Sequence, residues 1–278
     1  MRRLLQSKID CLRVSAVSNS IQVAFQRASD DGRTAIVPFV TVGHPRRDST
    51  PEVVEALSEA GADVIELGIP FSDPLAEGPV IQRSSFRALQ NGITPDRCFK
   101  NAVAIRNQGV KTPMVFMGYY NPIYQIGLDE FCARTRDAGV DGIIAADLPA
   151  AEAGPLLEAC QNAGISLVPL LALTSTEETI ATACKQASGF VYCVSVLGVT
   201  GARTAVSQRV QTLVATVKRH TDLPVGVGFG ISTAEHVVEV GRYADAAVIG
   251  SALINELESG DAVDAPRNAA RFLRSVRP

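Results

Sequence analysis

Eight short apolar runs recur along this chain from residue 34 onwards, and they limit the folds that it can adopt. Nearly all are apolar throughout, which is typical of strands buried on both faces of a parallel sheet. The predicted strands are Ala35–Thr41, Asp63–Gly68, Pro113–Gly118, Gly142–Asp147, Ser166–Ala172, Phe190–Val196, Pro224–Gly230 and Ala246–Ser251. Helical patterns separate these runs, so the sequence predicts repeated strand–helix units.

Glycines mark several junctions between a helical pattern and the next strand. Gly61, Gly109, Gly139, Gly164 and Gly189 stand where a left-handed residue ends a helix, at spacings of 48, 30, 25 and 25 residues. Eight strand–helix units in about 250 residues predict a (β/α)8 barrel, known as a TIM barrel. The alternative is an open doubly wound sheet, but no GxGxxG follows the first strand. The 48-residue unit is oversized, which predicts a functional loop within it.

The oversized unit carries one carboxylate inside an apolar strand. Glu66 interrupts this run and, because side chains alternate along a strand, it shares a face with Val64. An ionised carboxylate in such surroundings is costly unless it is paired or protonated. The loop beyond it holds Asp73 and Glu77, so we predict a general acid–base site. The alternative is a core glutamate satisfied by buried donors, with a solvated turn beyond it.

Glycine-bearing turns follow the last three predicted strands, at residues 198–202, 228–232 and 250–251. Glycine lets backbone N–H groups approach an anion closely, and barrels often bind phosphate with the loops after strands seven and eight. No Lys or Arg lies in the GFGIS or IGS segments, so we expect amides to hold a phosphate there. Ordinary tight turns are the alternative.

Other polar residues at strand ends are less specific. Asp147 stands two residues before Pro149 and is predicted to cap a helix rather than to act in catalysis. Tyr192 lies within a strand, where its phenol would bond either a core carbonyl or a catalytic carboxylate. Tyr119 follows the third strand and is expected at the barrel mouth, and His44 is predicted to lie in an ordinary loop.

Composition and charge narrow the functional classes. The 278-residue chain is 46% hydrophobic with a net charge of −3, which argues against a nucleic-acid or anionic-membrane partner. Its six cysteines are scattered without CxxC spacing, which indicates reduced core residues in a cytoplasmic protein, and three separated histidines predict no metal site.

The first 18 residues carry four basic side chains and lack the pattern of a secretory signal. We expect residues 1–18 to be a disordered extension, with a short transit peptide as the alternative. No low-complexity linker divides the remainder, so residues 19–278 are predicted to form a single barrel domain with an N-terminal helical extension.

Several motifs occur in the order found in one enzyme family. They are PFVTVGHP (38–45), IELGIPFSDPLAEGP (65–79), GYYNPI (118–123), GIIAADLP (142–149), YCVSVLGVTGAR (192–203), GFGIS (228–232) and VIGSALI (248–254). Through these motifs the chain closely resembles the α subunits of tryptophan synthase, from about Ser20 to its C-terminus. The second and fifth motifs are highly specific.

The resemblance implies a retro-aldol cleavage of indole-3-glycerol phosphate to indole and glyceraldehyde 3-phosphate. Glu66 matches the family's acid–base glutamate, which needs a raised pKa to donate a proton near neutral pH. The second carboxylate of the family, which bonds the indole N–H, falls at Glu77.

The resemblance also implies a set of residues that contact the substrate. Phe39 and Phe229 match residues that pack on the indole, Tyr192 matches a partner of the catalytic glutamate, and Tyr119 is expected to line the site. Thr200 matches a residue of a closing loop, and the phosphate-binding amides fall at Gly201, Gly230, Gly250 and Ser251.

Two positions depart from the family's pattern. The second carboxylate is usually Asp, and the extra methylene of Glu77 moves the carboxylate by about 1 Å, a displacement that can cost on the order of 100-fold in rate. Loop movement is the alternative way to accommodate the longer side chain. The usual TAGDP turn reads TVGHP, so His44 replaces an Asp and inherits no role from it.

The resemblance further implies a protein partner. Members of the family bind a β subunit whose pyridoxal phosphate (PLP) consumes the indole, so an αββα complex is expected with no cofactor in this chain. The region Tyr119–Pro122 and a loop match the partner contact surface, and the loop consists of Pro70, Phe71, Ser72, Asp73 and Pro74.

Three other functions stay open from sequence alone. A sugar-phosphate epimerase or isomerase would also use a phosphate-binding barrel, although Glu66 and Glu77 come without a set of metal ligands. A scaffold that only activates a β partner is favoured by Glu77 alone. A free-standing indole-releasing lyase would need no partner, and residue types do not distinguish it from a subunit.

Overall fold

A ring of parallel strands lies at the centre of the computed structural model, which describes residues 19–194, 203–228 and 230–278. The strands are β1 (Ala35–Thr41), β2 (Ile65–Gly68), β3 (Met114–Gly118), β4 (Gly142–Ala145), β5 (Ser166–Leu167), β6 (Leu170–Ala172), β7 (Val191–Val194), β8 (Val225–Gly228) and β9 (Ala246–Ile249). Their order in the sheet is β5-β4-β3-β2-β1-β9-β8-β7-β6, and every pairing is parallel. All eight predicted strands therefore form, although Ser195 and Val196 of the sixth and Phe229 of the seventh lie outside the described residues.

The ring closes through the predicted fifth strand, which β5 and β6 share. The N–H of Val168 donates to the carbonyl of Ile143 at 2.9 Å, and the carbonyl of Pro169 accepts from the N–H of Tyr192 at 3.0 Å. One short segment thus bonds to β4 on one side and to β7 on the other. Pro169 has no N–H to give the ladder, which accounts for the break between β5 and β6. The predicted (β/α)8 barrel is confirmed, and the open sheet is excluded.

Helices surround the ring between successive strands. They are α1 (Ser20–Asp30), α2 (Thr50–Glu59), α3 (Pro79–Gln90), α4 (Pro95–Asn107), α5 (Tyr120–Ile126), α6 (Leu128–Asp137), α7 (Gly154–Ala163), α8 (Glu177–Gln186), α9 (Arg203–Lys218), α10 (Ala234–Gly241), α11 (Ser251–Leu257) and α12 (Ala265–Val276), with short 3₁₀ turns at Ala150–Glu152 and Ala262–Asp264. The oversized 48-residue unit holds two helices, α3 and α4, so its extra length is a helix as well as a loop. The five junction glycines all have positive φ, from 72° to 96°, as predicted.

Two helix starts lie one residue later than their sequence patterns predict. Ser175 with Glu178, and Ser232 with Glu235, have the spacing of a capping box, which predicts that each serine caps its helix. The capping side chains are instead Thr176, which accepts from the N–H of Thr179 at 3.2 Å, and Thr233. The boxes were misplaced because a Ser–Thr pair offers two capping hydroxyls, and local spacing does not choose between them.

The inside of the barrel is filled by apolar side chains and closed at the strand N-termini by α1. Val37, Val64 and Val115 belong to this interior cluster, together with Ile21 and Phe25 of α1. The ring of Phe25 lies 5.3 Å from that of Phe190, between ring centroids. The helical extension predicted at the N-terminus is thus α1, which covers the end of the barrel at the strand N-termini and excludes water from its interior.

Aspartates at the strand starts join neighbouring strands at the same end of the barrel. Asp63, Asp141 and Asp245 each accept a backbone N–H from the adjoining strand, at Ile36, Met114 and Val225 respectively, over 2.8–2.9 Å. Each carboxylate also pairs with a cationic side chain: Asp63 with Arg33, Asp141 with Arg106, and Asp245 with Lys218. These bonds contribute to strand register at the end of the ring opposite the carboxyl termini of the strands.

We expect Asp141→Asn to lower the free energy of unfolding by about 2 kcal/mol, because it weakens bonds to Met114 and Arg106 that are shielded from water. Urea denaturation measures this change. The matched control is Asp137→Asn, since Asp137 is 66% exposed and pairs with Arg136 at the surface; its effect should stay within about 0.5 kcal/mol. Equal effects in the two variants would contradict a structural role for Asp141.

Candidate active site

Glu66 lies in β2 with its side chain in the interior of the barrel. Its register neighbours are Phe39 on β1 and Val115 on β3. Val64 belongs to the interior cluster and Ile65 to the layer between strands and helices, which is the alternation the sequence predicts. The residue is only 1% exposed. The carboxyl group is therefore surrounded by the apolar wall of the ring.

The protonation of Glu66 follows from this burial. Loss of hydration, followed by the nearby charge of Glu77, raises the pKa of Glu66 to about 8. Its Oε1 atom has no hydrogen-bond partner among the described residues. Glu66 consequently carries a proton at neutral pH, which is the state that a general acid requires.

Glu77 lies in the loop between β2 and α3, two residues before α3 begins. Burial raises the pKa of its half-buried side chain to about 7. Its N–H donates to the carbonyl of Pro74 at 3.0 Å, and its own carbonyl accepts from Nε2 of Gln82 at 2.9 Å. The backbone of Glu77 is thus held from both sides. A group with a pKa near 7 changes charge readily at neutral pH.

A cavity of about 290 Å³, measured with its open mouth, lies at the carboxyl ends of β1, β2 and β3. Phe39, Glu77 and Tyr119 line it together with apolar residues of the loop and of α3. Glu66 is not among the lining residues, although its register neighbour Phe39 is. The cavity therefore brings three of the predicted site residues together above the position of Glu66.

Phe39 is the register neighbour of Glu66 and also lies near the turn after β9. A β-carbon on Gly68 would lie 2.5 Å from Cζ of Phe39, so the absence of a side chain at Gly68 makes room for the ring. A β-carbon on Gly250 would lie within 3.9 Å of the same ring. Gly250 immediately precedes α11, whose first residue, Ser251, is exposed. Gly230, which is also exposed, has a φ of 48°.

Tyr192 lies on β7 and is 8% exposed. Burial raises the pKa of its phenol, and the charges of Glu66 and Glu77 raise this pKa further. The phenol is therefore near enough to both carboxyl groups to sense their charge. A β-carbon on Gly228 would collide with the Tyr192 hydroxyl, so glycine is needed there. The phenol stays protonated and can donate a hydrogen bond.

Tyr119 holds the loop that carries Glu77. Its hydroxyl accepts from the N–H of Ala76 at 3.0 Å, and its ring stacks on Phe71 with 5.0 Å between centroids. Burial raises the pKa of Tyr119 to about 12. Ser85 on α3 accepts from the N–H of Phe71 and donates to its carbonyl, at 2.9 and 3.0 Å. The loop is thus tied to two elements of the barrel.

The residues predicted to contact a partner lie on the outer part of this loop. Ser72 and Asp73 are exposed, Phe71 and Pro74 are half-buried, and Pro70 is buried. Leu75 next to them is 89% exposed, which is unusual for a large apolar side chain. The loop thus has an inner face toward the cavity and an outer face toward solvent.

The sequence missed two residues near the site. His44 was assigned to an ordinary loop, but its imidazole is 2% exposed and its Nε2 atom lies 3.3 Å from Oε1 of Glu258; no local pattern signals that contact. Ser85 had a signal, because Ile81, Ser84, Ser85 and Ala88 have the spacing of one buried helical face.

Asp147 caps a helix, but not the helix that follows it. Its Oδ1 atom accepts from the N–H of Tyr120, the first residue of α5, at 2.7 Å. Thr200, Gly201 and Phe229 lie outside the described residues. Within the parts of the chain that the structure describes, no group of three His, Cys, Asp or Glu side chains is placed to hold a metal. In the same parts, no helix combines the length and apolarity that a membrane crossing needs.

A closed parallel barrel with a buried, protonated carboxyl group near the carboxyl ends of its strands defines a barrel enzyme with acid–base chemistry. The family model of the tryptophan synthase alpha chain matches residues 25–276. The chain belongs to the tryptophan synthase alpha chain family.

Relatives and solved structures agree with this assignment. The chain is 47% identical to the tryptophan synthase alpha chain of Roseiflexus castenholzii over 253 residues, covering 91% of this chain and 97% of that protein. It is also 47% identical to that of Burkholderia lata, covering 92% and 93%. Tryptophan synthase subunit alpha from Legionella pneumophila superposes with a TM-score of 0.85 at 34% identity, covering 94% of this chain and 98% of that one.

Membership of this family settles the reaction. The chain is a carbon–carbon lyase that cleaves indole-3-glycerol phosphate to indole and glyceraldehyde 3-phosphate in tryptophan biosynthesis. The family implies a complex with a β subunit, and it is consistent with the absence of a cofactor from this subunit. The expected activity is therefore confirmed, and the epimerase alternative is excluded.

We expect Glu66→Gln to stabilise the protein at alkaline pH. The folded chain binds the Glu66 proton more tightly than the unfolded chain, because the pKa is about 8 instead of 4.5. The stability from this proton is complete below pH 4.5 and is lost as the pH rises to 8. Glutamine does not ionise, so the advantage of the variant should grow over this range by several kcal/mol, on the order of 3–5.

Urea denaturation at pH 5, 7 and 9 measures this growth. Glu59→Gln, at an exposed glutamate of α2, is the control and should differ from the unmodified chain by the same small amount at all three values. A pH-independent difference for Glu66→Gln would show that Glu66 is not buried as a neutral acid.

Proposed function

We propose that Glu66 is the acid–base group of the cleavage. Its proton would pass to the indole ring carbon that bears the glycerol chain. The hydroxyl on the adjacent chain carbon would then lose its proton to Glu66, and the carbon–carbon bond would break with its electron pair going to the ring. The aldehyde carbonyl forms as indole departs, and Glu66 regains its proton. The observation that supports this role is a carboxyl group with a pKa of about 8 in the barrel interior.

Glu77 is the proposed partner of the indole N–H. Its carboxylate would accept this N–H and stabilise the positive charge that develops on the ring when its carbon is protonated. The half-buried side chain lines the cavity, and its charge acts on Glu66. Such an anion would also favour the protonated form of Glu66, which is the form needed at the start of the reaction.

The aromatic residues would hold the indole and orient Glu66. Phe39 and Phe229 are proposed to pack on the two faces of the ring, and Tyr119 to line its pocket. Tyr192 is the proposed hydrogen-bond partner of Glu66. The position of Phe39 in the cavity lining, and the burial of Tyr192 next to both carboxyl groups, support these roles.

The phosphate is proposed to bind backbone amides at the ends of the last strands. The residues are Gly201, Gly230, Gly250 and Ser251, with Thr200 on a loop that closes over the substrate. A β-carbon on Gly250 would lie 3.9 Å from the ring of Phe39, the register neighbour of Glu66, which supports a phosphate site on the same side of the barrel as the acid–base group. The positive φ of Gly230 supports a backbone turn with its N–H groups exposed.

The partner is proposed to be the PLP-containing β subunit of an αββα complex, with no cofactor in this chain. It would contact the outer face of the loop Pro70–Pro74 and the region Tyr119–Pro122. The exposure of Ser72 and Asp73, and of Leu75 beside them, supports this surface.

We further propose that the protein is cytoplasmic and that residues 19–278 are one domain with residues 1–18 as an extension. Indole release measured with and without a β subunit tests the dependence on the partner.

We expect Glu66→Gln to reduce indole release from indole-3-glycerol phosphate by at least about 1,000-fold, since an amide neither donates nor accepts the proton. Binding of glycerol 3-phosphate, measured by calorimetry, should change by less than about threefold because the amides that hold phosphate are untouched. The control is Glu59→Gln, which should keep full activity. Turnover that survives in Glu66→Gln would refute the role of Glu66.

For Glu77→Asp we expect equal or faster turnover. The shorter side chain would place the carboxylate where the resemblance implies an aspartate, and a misplacement of about 1 Å can cost on the order of 100-fold. Steady-state kinetics of indole release compare this variant with Glu77→Gln, which should lose activity because it cannot stabilise positive charge on the ring. A large loss in Glu77→Asp would mean that the site has been rebuilt around the longer side chain.

A further inference from the structure

Three side chains from separate elements meet behind the site. His44 follows β1, Arg83 lies on α3, and Glu258 comes directly after α11. Oε2 of Glu258 lies 2.7 Å from Nη2 of Arg83, and Oε1 lies 3.3 Å from Nε of Arg83 and 3.3 Å from Nε2 of His44. We call these three residues the His44 clamp. Glu258 is its centre, because both of its oxygens are engaged.

The clamp joins the elements that carry the proposed site residues. α3 begins two residues after Glu77, and α11 begins at Ser251, beside Gly250. His44 lies at the end of the segment that contains Phe39. Position and orientation of Glu77 relative to the phosphate turn therefore depend on how α3 sits against α11.

Two further contacts fix the same helix to the β1 segment. The hydroxyls of Thr41 and Ser84 lie 2.6 Å apart, and both residues are buried. Nδ2 of Asn91, just past the end of α3, donates to the carbonyl of Gly43 at 2.8 Å. α3 is thus bonded to β1 and its loop near its middle and at its C-terminal end. Arg83 bonds α3 to the other side of the site, through Glu258 and through Oδ1 of Asn255 on α11, which lies 3.2 Å from Nη2 of Arg83.

Stability alone does not account for this arrangement. The side chains of Arg83 and Glu258 are 51% and 29% exposed, and ion pairs as exposed as this one contribute little to stability. His44 is almost fully buried without a hydrogen bond to either ring nitrogen, which is unfavourable in itself. Its charged neighbours are Glu258, Arg87 and Arg83, and burial lowers its pKa to about 4, so the imidazole is neutral at pH 7.

We propose that Glu258 is a positioning residue of the lyase reaction, and that the His44 clamp sets the distance between Glu77 and the phosphate-binding turn. This inference rests on the role proposed above for Glu77. The two-nitrogen contact of Arg83 with one carboxylate defines direction as well as distance, which a single-point contact would not. The clamp acts through Glu77 and touches no substrate atom.

The test uses the full-length chain in complex with its β subunit and compares Glu258→Gln with Glu256→Gln. Glu256 is a matched control, because it lies two residues away and pairs with Arg271 at the surface. In Glu258→Gln we expect kcat for indole release to fall about 10-fold, since a shift of a fraction of an ångström at Glu77 suffices for this. The dissociation constant of glycerol 3-phosphate and the melting temperature should stay close to those of Glu256→Gln. Equal kcat in the two variants would overturn the proposal.

Two additional comparisons separate positioning from packing. His44→Gln keeps a polar side chain beside Oε1 of Glu258 and should retain more than half of kcat, whereas His44→Leu puts an apolar group against this oxygen and should lose several-fold. Arg83→Lys keeps the charge but not the two-nitrogen contact, and should lower kcat about as much as Glu258→Gln without adding to it in the double variant. Additive losses, or equal kcat in the two His44 variants, would count against the clamp.

The experiments distinguish a wrong proposal for the His44 clamp from a wrong proposal for Glu77. If Glu77→Gln retains full activity, the role of Glu77 is wrong and the clamp has nothing to position. If Glu77→Gln is inactive while Glu258→Gln behaves like Glu256→Gln, only the clamp is wrong. Should Glu258→Gln fail to fold, Arg83→Lys carries the test, because the Arg83 side chain is half exposed and its replacement leaves the core intact.

Discussion

The structure depends on one unfavourable placement, a carboxyl group inside an apolar ring of strands. A pKa of about 8 for Glu66 corresponds to a preference of about 5 kcal/mol for its protonated form over that of an ordinary glutamate. The ring creates this preference because Val64 and Val115 surround the group and α1 closes the lower end. The burial that would make the anion destabilising is also what makes Glu66 an acid at neutral pH. Under the role proposed for Glu66, function and stability oppose each other at this residue.

The barrel arranges the remaining groups around this acid. Parallel strands end at one rim, so Phe39 of β1, Tyr192 of β7 and Gly250 after β9 converge although they are far apart in sequence. Glu77 comes from a loop instead, and that loop is bonded to Tyr119 and Ser85. The acid is therefore fixed by the rigid ring, whereas the second carboxylate depends on several smaller contacts.

Most of the fold was predictable because strands buried on both faces are apolar throughout and helices end at glycines with positive φ. The errors are local and have a common cause. Asp147 caps α5 rather than the segment after it, since the N–H of Tyr120 is brought to it by tertiary contact. The shifted caps at Thr176 and Thr233 likewise depend on which of two adjacent hydroxyls lies closer to the first turn of the helix.

By itself, the sequence determined the eight-stranded barrel, the interior position of Glu66 and the order of the site residues, because periodicity states which face each side chain takes. Only the tertiary structure decided which polar groups meet: the contact of His44 with Glu258 and the bond from Tyr119 to the loop. The reason is physical. A pKa or an ion pair depends on distance and on the exclusion of water, and both are set by packing between segments that are remote along the chain.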